Sequence, residues 1–127
     1  MKTSKSPKKT AIGARLKIVL GEETAIGPGK ADLLGHILDT GSIAAAGRCM
    51  AMSYRRAWLL VDEMNRMFKT PVVTTAKGGK GGGGGAALTT LGRDVLKRYR
   101  NMQTVTARAI ADDLKALRGA LAVKRRA

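Results

Sequence analysis

Two adjacent arginines, Arg55 and Arg56, are the side chains with the clearest potential chemistry in this sequence. They follow Ser53 and Tyr54, where apolar residues at helical spacing predict a helix that is capped by Ser53 and runs to about Phe68. Both arginines project from its first turn, away from the apolar stripe. A guanidinium group can donate two parallel hydrogen bonds to O6 and N7 of guanine, or it can bind a phosphate. Arg55 and Arg56 are therefore the predicted base-reading residues.

The polar residues around these arginines each allow two interpretations. The hydroxyl of Ser53 either caps the helix or donates to a phosphate, and Ser42, at the start of the preceding helix, joins the predicted DNA contacts. Tyr54 lies near the buried side of the helix, so we expect a packed ring whose hydroxyl reaches a phosphate. Leu59 is predicted to face outward, against either a thymine methyl group or a neighbouring element. Trp58 is predicted to belong to the core.

A segment of glycine and lysine, KGGKGGGGG, follows this helix. On composition alone it favours a flexible linker, but only one long helix comes after it, and a linker should separate two domains. The β-branched residues 72–75 and residues 87–89 predict instead a β-hairpin with a basic tip at 77–85. Glycine N–H groups can approach phosphates closely because no side chain intervenes. The tip residues predicted to contact DNA are Lys77, Gly78, Gly79, Lys80, Gly81, Gly82 and Gly83.

Other kinds of chemistry have little support in the sequence. Cys49 and His36 are each the single residue of their type, so no metal site and no cofactor are expected. Adjacent carboxylates such as Asp62 and Glu63 have no nucleophile or base beside them. No Gly-x-x-x-x-Gly-Lys-Ser/Thr motif for nucleotide phosphates occurs. The chain is therefore not expected to be an enzyme.

The net charge indicates a polyanionic partner. The chain has 24 Lys and Arg against 9 Asp and Glu, which gives a charge of +15 over 127 residues and favours nucleic acid. An acidic membrane is the second candidate, but the sequence lacks a run of about eighteen apolar residues. The chain has one Trp, two Tyr and one Phe, so few aromatic rings are available to stack on unpaired bases. This scarcity argues against recognition of single-stranded nucleic acid. Double-stranded DNA is the predicted partner, no membrane is expected, and the predicted location is the cytoplasm, in association with the nucleoid.

A mainly α scaffold with a small β-sheet is predicted to position these side chains. Residues 1–13 are expected to form a disordered basic tail that either solubilises the protein or follows DNA phosphates. Residues 14–20 predict a strand with Leu16, Ile18 and Leu20 on its buried face, and residues 21–27 predict a turn. A helix is predicted from Pro28 to Asp39, with a stripe of Ala31, Leu34, Ile37 and Leu38. Two further helices, capped by Ser42 and Ser53 and separated by a short turn, have the proportions of a helix-turn-helix.

The last segment, about 90–121, is predicted to be one long helix. Its apolar stripe continues at steps of three and four over some thirty residues, or about 45 Å, which is more than one small domain needs to cover its core. The excess length predicts a homodimer. The residues assigned to the dimer contact are Tyr99, Met102, Thr106, Ile110, Leu114 and Leu117. The folded domain is thus predicted to span residues 14–121, with a basic tail at 122–127.

Three segments, GPGKADLL, DTGSIAAAGRCMAMSYRRAWLLVDEMNRMF and VVTTAKGGKGGGGGAALTTLG, together resemble the N-terminal winged helix-turn-helix domain of the molybdate-responsive ModE regulators. The resemblance covers about residues 14–99, and its distinctive parts are Ser53-Tyr54, Trp58, Met64-Asn65 and the glycine-rich tip. It implies a bacterial, homodimeric transcription regulator with Ser53, Tyr54 and Arg55 at the start of the recognition helix and Gly78 to Gly84 in the wing. Nothing after residue 106 resembles the molybdate-binding domains of the family, so molybdate binding is not expected within this chain.

The predicted function is sequence-specific binding of double-stranded DNA by a winged-helix transcriptional regulator. Its two recognition helices are expected to enter successive major grooves, about 34 Å apart or a multiple of that distance, on a pseudo-palindromic site. Phosphate contacts from several of Lys77, Lys80, Lys97 and Arg98 should make affinity fall with salt. One alternative is an architectural protein that is indifferent to DNA sequence. Another is an adaptor whose long helix docks a second protein.

Overall fold

The computed structural model describes residues 12–76 and 85–122. In these residues the elements are β1 (Ile18–Gly21), β2 (Thr24–Ile26), α1 (Pro28–Thr40), α2 (Ile43–Cys49), α3 (Tyr54–Met67), β3 (Val73–Ala76), β4 (Gly85–Leu88), α4 (Thr90–Ala109) and α5 (Ala111–Gly119). The strands form two antiparallel pairs, β1 with β2 and β3 with β4. The predicted class, mainly α with a small β component, is confirmed.

Helix α1 lies at the centre of the core and contacts α2, α3, α4, β2 and β4. Because neighbours surround it on several sides, its buried face is wider than the predicted stripe. Leu33 is fully buried although the stripe omitted it, and Leu38 is 43% exposed although the stripe included it. The prediction for Leu38 is therefore wrong, and this leucine presents an apolar side chain to the surface beside α4.

The N-terminal hairpin differs from its prediction in two ways. The first strand is shorter than expected and pairs with β2, whose residues were predicted to be a turn. Its register is irregular between Val19 and Gly21, and such a bulge interrupts the alternation of buried and exposed side chains. Leu20 is consequently 52% exposed, so its predicted burial is wrong. Leu16 and Ile18 are half-buried against the core.

The turn between α2 and α3 is closed by a pair of backbone hydrogen bonds. The N–H of Met52 donates to the carbonyl oxygen of Gly47 at 3.0 Å, and the N–H of Ala51 donates to that of Arg48 at 3.1 Å. This pattern is a Schellman motif, which places its second residue after the helix in the left-handed conformation. That residue is Ala51, at φ 55°. A non-glycine residue here costs about 1 kcal/mol.

Replacing Ala51 with glycine should therefore stabilise the protein. Ala51 is exposed, so no packing is lost, and the relief of the left-handed backbone exceeds the added entropy of the unfolded chain by about 0.5 kcal/mol. The midpoint of urea unfolding at fixed protein concentration measures this change. Ala45→Gly, in the regular part of the same helix, should instead cost about 1 kcal/mol. A loss of stability in both variants would contradict the interpretation.

The predicted long C-terminal helix is interrupted at Ile110. This residue, at φ −99° and ψ 3°, ends α4 and precedes α5, so the prediction of one uninterrupted helix is wrong. The charges around the break fit two helix ends, because Arg108 lies in the last turn of α4 and Asp112 and Asp113 lie in the first turn of α5. Hydrogen bonds from Ile110 to Thr106 and from Leu114 to Ile110 continue across the break. The two helices therefore form a locally distorted continuation of each other.

Only the first half of α4 packs on the core. Gly92, Leu96 and Tyr99 are its buried residues, and α5 has none. Tyr99 is 1% exposed, and its hydroxyl donates to the carbonyl oxygen of Leu16 at 2.7 Å. Burial raises the pKa of Tyr99 above its ordinary value, which extends to higher pH the range in which the phenol can donate. Tyr99 is thus a core residue, and its burial leaves no surface for the dimer contact predicted for it.

Candidate nucleic-acid interface

Serine caps begin both helices of the α2–α3 pair. The Oγ of Ser53 accepts a hydrogen bond from the backbone N–H of Arg56 at 3.0 Å. Likewise, the Oγ of Ser42 accepts from the N–H of Ala45 at 3.0 Å. The capping interpretation is confirmed for both serines. Each hydroxyl still carries its own hydrogen, so it can also donate to an anion that approaches the helix end.

The leading end of α3 presents two unpaired guanidinium groups. Arg55 and Arg56 are exposed, and neither forms an ion pair with any residue in the described ranges. The trailing end differs, since Arg66 pairs with Asp62 at 2.7 Å. The positive charge of the helix that is available to a ligand is therefore concentrated in its first turn.

Tyr54 is more exposed than predicted. Its side chain is 57% exposed, so the expectation that it packs near the buried side of α3 is wrong. The first turn of α3 extends past the edge of the core, and the first buried residue of the helix is Ala57. The indole N–H of Trp58, which is half-buried, donates to the Tyr54 hydroxyl. Leu59 is 51% exposed, as predicted for an outward residue.

The predicted hairpin has a well-defined stem. Strands β3 and β4 pair in regular register, from Val73 opposite Leu88 to Ala76 opposite Gly85. Gly85, assigned to the tip by the sequence, belongs to β4. The predicted DNA contacts Lys77, Gly78, Gly79, Lys80, Gly81, Gly82 and Gly83 lie outside the described residues.

Asn65 fastens this stem to α3. Its side-chain oxygen accepts hydrogen bonds from the backbone N–H groups of Val72 at 2.8 Å and Val73 at 3.0 Å. Its side-chain amide donates to the carbonyl oxygen of Val73 at 3.0 Å. Sequence reasoning gave Asn65 no structural role. The available signal was a polar residue next to buried Met64, where a side chain able to both donate and accept is expected to satisfy backbone groups.

A second connection joins the stem to the turn between α1 and α2. The N–H of Ala86 in β4 donates to the carbonyl oxygen of Gly41 at 2.9 Å. Gly41 ends α1 in the left-handed conformation, at φ 71°, which glycine adopts without strain. The stem is thus hydrogen-bonded both to α3 and to the loop that precedes α2. These hydrogen bonds fix the position of the stem relative to the two helices.

Two other cationic side chains, those of Lys30 and Arg98, form ion pairs with carboxylates of the described residues. Lys30 lies 2.7 Å from Glu63 and joins α1 to α3. Arg98 pairs with Asp94 at 2.8 Å, and this hydrogen bond together with the charge of Asp94 raises the pKa of Arg98. Lys97 lines a groove between α1 and α4. A phosphate would therefore compete with Asp94 for Arg98, whereas Lys97 forms no ion pair with the described residues.

Two further structural observations concern the described ranges only. Within 12–76 and 85–122, no cluster of three or more His, Cys, Asp or Glu side chains is arranged to hold a metal ion. In the same ranges, none of the helices combines the length and the apolar composition needed to cross a membrane.

Comparison with known proteins gives two named relatives. No protein-family model matches the chain. The molybdenum-pterin-binding protein MopB of Rhodobacter capsulatus is 40% identical over 92 residues, which cover 72% of this chain and 34% of that protein. The molybdenum transport protein ModE of Azotobacter vinelandii is 34% identical over 94 residues, which cover 74% of this chain and 34% of that protein. The chain thus spans about a third of the length of the curated relatives it matches.

Proposed function

This chain belongs to the ModE family, which it matches over 72 to 74% of its length. On that premise we propose that it is a homodimeric transcriptional regulator that binds specific sequences in double-stranded DNA. In this proposal α2 and α3 form a helix-turn-helix, α3 is the recognition helix, and the β3–β4 hairpin is the wing. The protein would act on the nucleoid, in the cytoplasm.

The proposal rests on two adjacent arginines at the capped start of α3 that form no ion pair with the described residues. The N-terminal residues of a recognition helix reach the base edges of the major groove. Arg55 and Arg56 lie in that position, and their guanidinium groups are exposed and without an acidic partner among the described residues. A bidentate arginine discriminates guanine from other bases by about 1–3 kcal/mol. These two residues are therefore the proposed source of sequence preference.

Phosphate contacts are proposed to hold α3 in the groove. The hydroxyls of Ser42 and Ser53 can donate to the DNA backbone while they cap their helices. The exposed ring of Tyr54 is placed one residue before the arginines, where its hydroxyl can donate to a neighbouring phosphate. Lys77 and Lys80, with the tip glycines, are proposed to contact the backbone beside the groove, where lysine side chains neutralise phosphate charge.

Dimerisation is proposed to use the part of α4 and α5 that extends beyond the core. None of the residues 101–122 is buried, yet Met102, Thr106, Ile110, Leu114 and Leu117 recur there at steps of three and four. A second copy of the chain would cover this surface. A two-fold dimer then presents two copies of α3 to an inverted repeat.

Selection of bound duplexes from random DNA tests the proposal. An enriched inverted repeat with half-sites one or two helical turns apart supports a sequence-specific dimer. Binding without an enriched sequence would contradict it and would favour an architectural protein. Failure to bind any duplex at moderate salt would contradict both and would favour an adaptor.

The two proposed kinds of DNA contact should respond differently to mutation. On the selected site, Arg55→Ala should lower affinity about a hundredfold and relax the base preference at one position in each half-site, because each copy of the dimer loses a bidentate base contact. By contrast, Lys80→Ala should weaken all duplexes alike and reduce the steepness of the salt dependence by about two units of slope, one for each copy of the dimer. Arg66→Ala, at the far end of the same helix, is the matched control and should change neither. Binding titrations over a set of single-base variants measure the difference, and identical profiles for Arg55→Ala and Lys80→Ala would count against these roles.

A further inference from the structure

A groove between α1 and α4 combines an apolar floor with a basic rim. It is open to solvent, has a volume of about 320 Å³ and is lined by Leu38, Arg93, Leu96, Lys97 and Arg100. None of these lining residues is acidic, and the described residues supply no ion-pair partner for its three cations. Such a groove is complementary to an apolar side chain that has a carboxylate beside it.

Helix α5 carries a matching pair of side chains. Leu117 is 69% exposed, and Asp113 lies four residues earlier, so both are on the same face of the helix. Asp113 is exposed and forms no ion pair with the described residues. Asp112 is equally acidic but is rotated by about 100° from Asp113, away from Leu117.

We propose that α5 of each copy docks into this groove on the other copy. In the docked state Leu117 packs mainly on exposed Leu38, above the groove floor that buried Leu96 forms. Asp113 pairs with Arg100 and Lys97 on the rim. The inference rests on the homodimer of the proposed function and specifies how the two copies pair. It also accounts for the exposure of Leu38, which becomes part of the interface.

Both contacts arise in a single register. When two identical helices pack antiparallel about a two-fold axis, residues equidistant from the axis lie opposite each other. Asp113 and Arg100 are equidistant from a point between Thr106 and Ala107, and so are Leu117 and Leu96. The apolar contact and the ion pair therefore require the same axis. Small side chains at Thr106 and Ala107 allow the two helices to approach closely there.

Charge-reversal variants of the full chain test this arrangement in the absence of DNA. Asp113→Lys should raise the dimer dissociation constant at least tenfold, because each copy would place a fourth cation against a basic rim. Asp112→Lys changes the net charge by the same amount but faces away from the groove, so it should change the dissociation constant less than twofold. Both positions are exposed on a helix without buried residues, so neither variant endangers the fold of the subunit. Sedimentation equilibrium measures both constants.

A mixing experiment tests the pairing directly. Lys97→Glu should also weaken the homodimer, because its rim would face Asp113 of the other copy. When Asp113→Lys and Lys97→Glu proteins are mixed, both grooves of the mixed dimer contain opposite charges, so native mass spectrometry should show the mixed dimer in excess over either homodimer. Equal effects of Asp113→Lys and Asp112→Lys, or no excess of the mixed dimer, would overturn the docking and leave the DNA-binding proposal standing. A wild-type chain that stays monomeric at all concentrations would overturn the homodimer itself.

Discussion

Replacing Gly92 with alanine should lower the free energy of unfolding by about 3 kcal/mol, although alanine is the better helix former. Gly92 is buried in the first turn of α4. A Cβ atom there would collide with the carbonyl oxygen of Val72 and would lie 3.0 Å from its carbonyl carbon and 3.3 Å from the Cβ of Leu88. The carbonyl cannot move easily, because it accepts a hydrogen bond from the N–H of Thr89 at 2.9 Å. The free-energy cost of such overpacking exceeds the gain of about 1 kcal/mol that alanine brings in helix propensity.

Gly29→Ala is the matched control for this prediction. Gly29 also lies in the first turn of a helix, but a Cβ atom at this position would have no neighbouring atom within 4 Å among the described residues. Alanine should therefore leave stability unchanged or raise it by up to about 1 kcal/mol. Urea unfolding at one protein concentration, with the slope checked for constancy, measures both variants. An increase in stability for Gly92→Ala would contradict the close approach of α4 to the Val72 carbonyl.

Asn65→Ala should cost about 3 kcal/mol of stability and loosen the hairpin stem. The substitution leaves the N–H groups of Val72 and Val73 without their acceptor, and both valines are buried. Each unsatisfied buried polar group costs about 1–3 kcal/mol. Because Asn65 also connects α3 to β3, the stem should lose its fixed orientation relative to the recognition helix. Affinity for the selected DNA site should therefore fall as well.

Hydrogen exchange of the backbone separates this effect from general destabilisation. The amides of Val72 and Val73 should exchange faster than the rest of the core in Asn65→Ala, even under conditions where the variant is fully folded. Asn101→Ala removes the other asparagine of the sequence, which is exposed on α4, and should leave these amides unchanged. Uniform acceleration throughout the core in Asn65→Ala would argue against a local role for the side chain.

The features predicted correctly from sequence depend on residues close together in the chain. Ser42 and Ser53 each cap a helix by accepting from the N–H three residues later, so both helix starts could be identified from adjacent residues alone. The same holds for the end of α1 at Gly41. The exposure of Arg55 and Arg56 followed from the position of the apolar stripe on α3. Local chemistry and periodicity were sufficient for these elements of the candidate site.

The features that sequence missed depend on partners far along the chain. The contact that restricts Gly92 comes from Val72, and the buried face of α1 is widened by elements that precede and follow it in sequence. No periodicity in one helix can report such neighbours, which explains the errors at Leu33 and Leu38. The break at Ile110 is different, because Asp112 and Asp113 provide a local signal for a helix start. The continuous apolar stripe concealed it.

The absence of buried side chains between residues 101 and 122 has a consequence for the lifetime of the protein. Most helical stability in proteins comes from packing of an apolar face rather than from helix propensity. In a lone protomer this stretch has little besides its own hydrogen bonds to hold it, and it exposes Lys115 and Arg118 to proteases that cleave after basic residues. In the proposed dimer the same stretch is covered. Proteases would then degrade protomers that lack a partner faster than dimers. The regulator would therefore persist in the cell only above the concentration at which it dimerises.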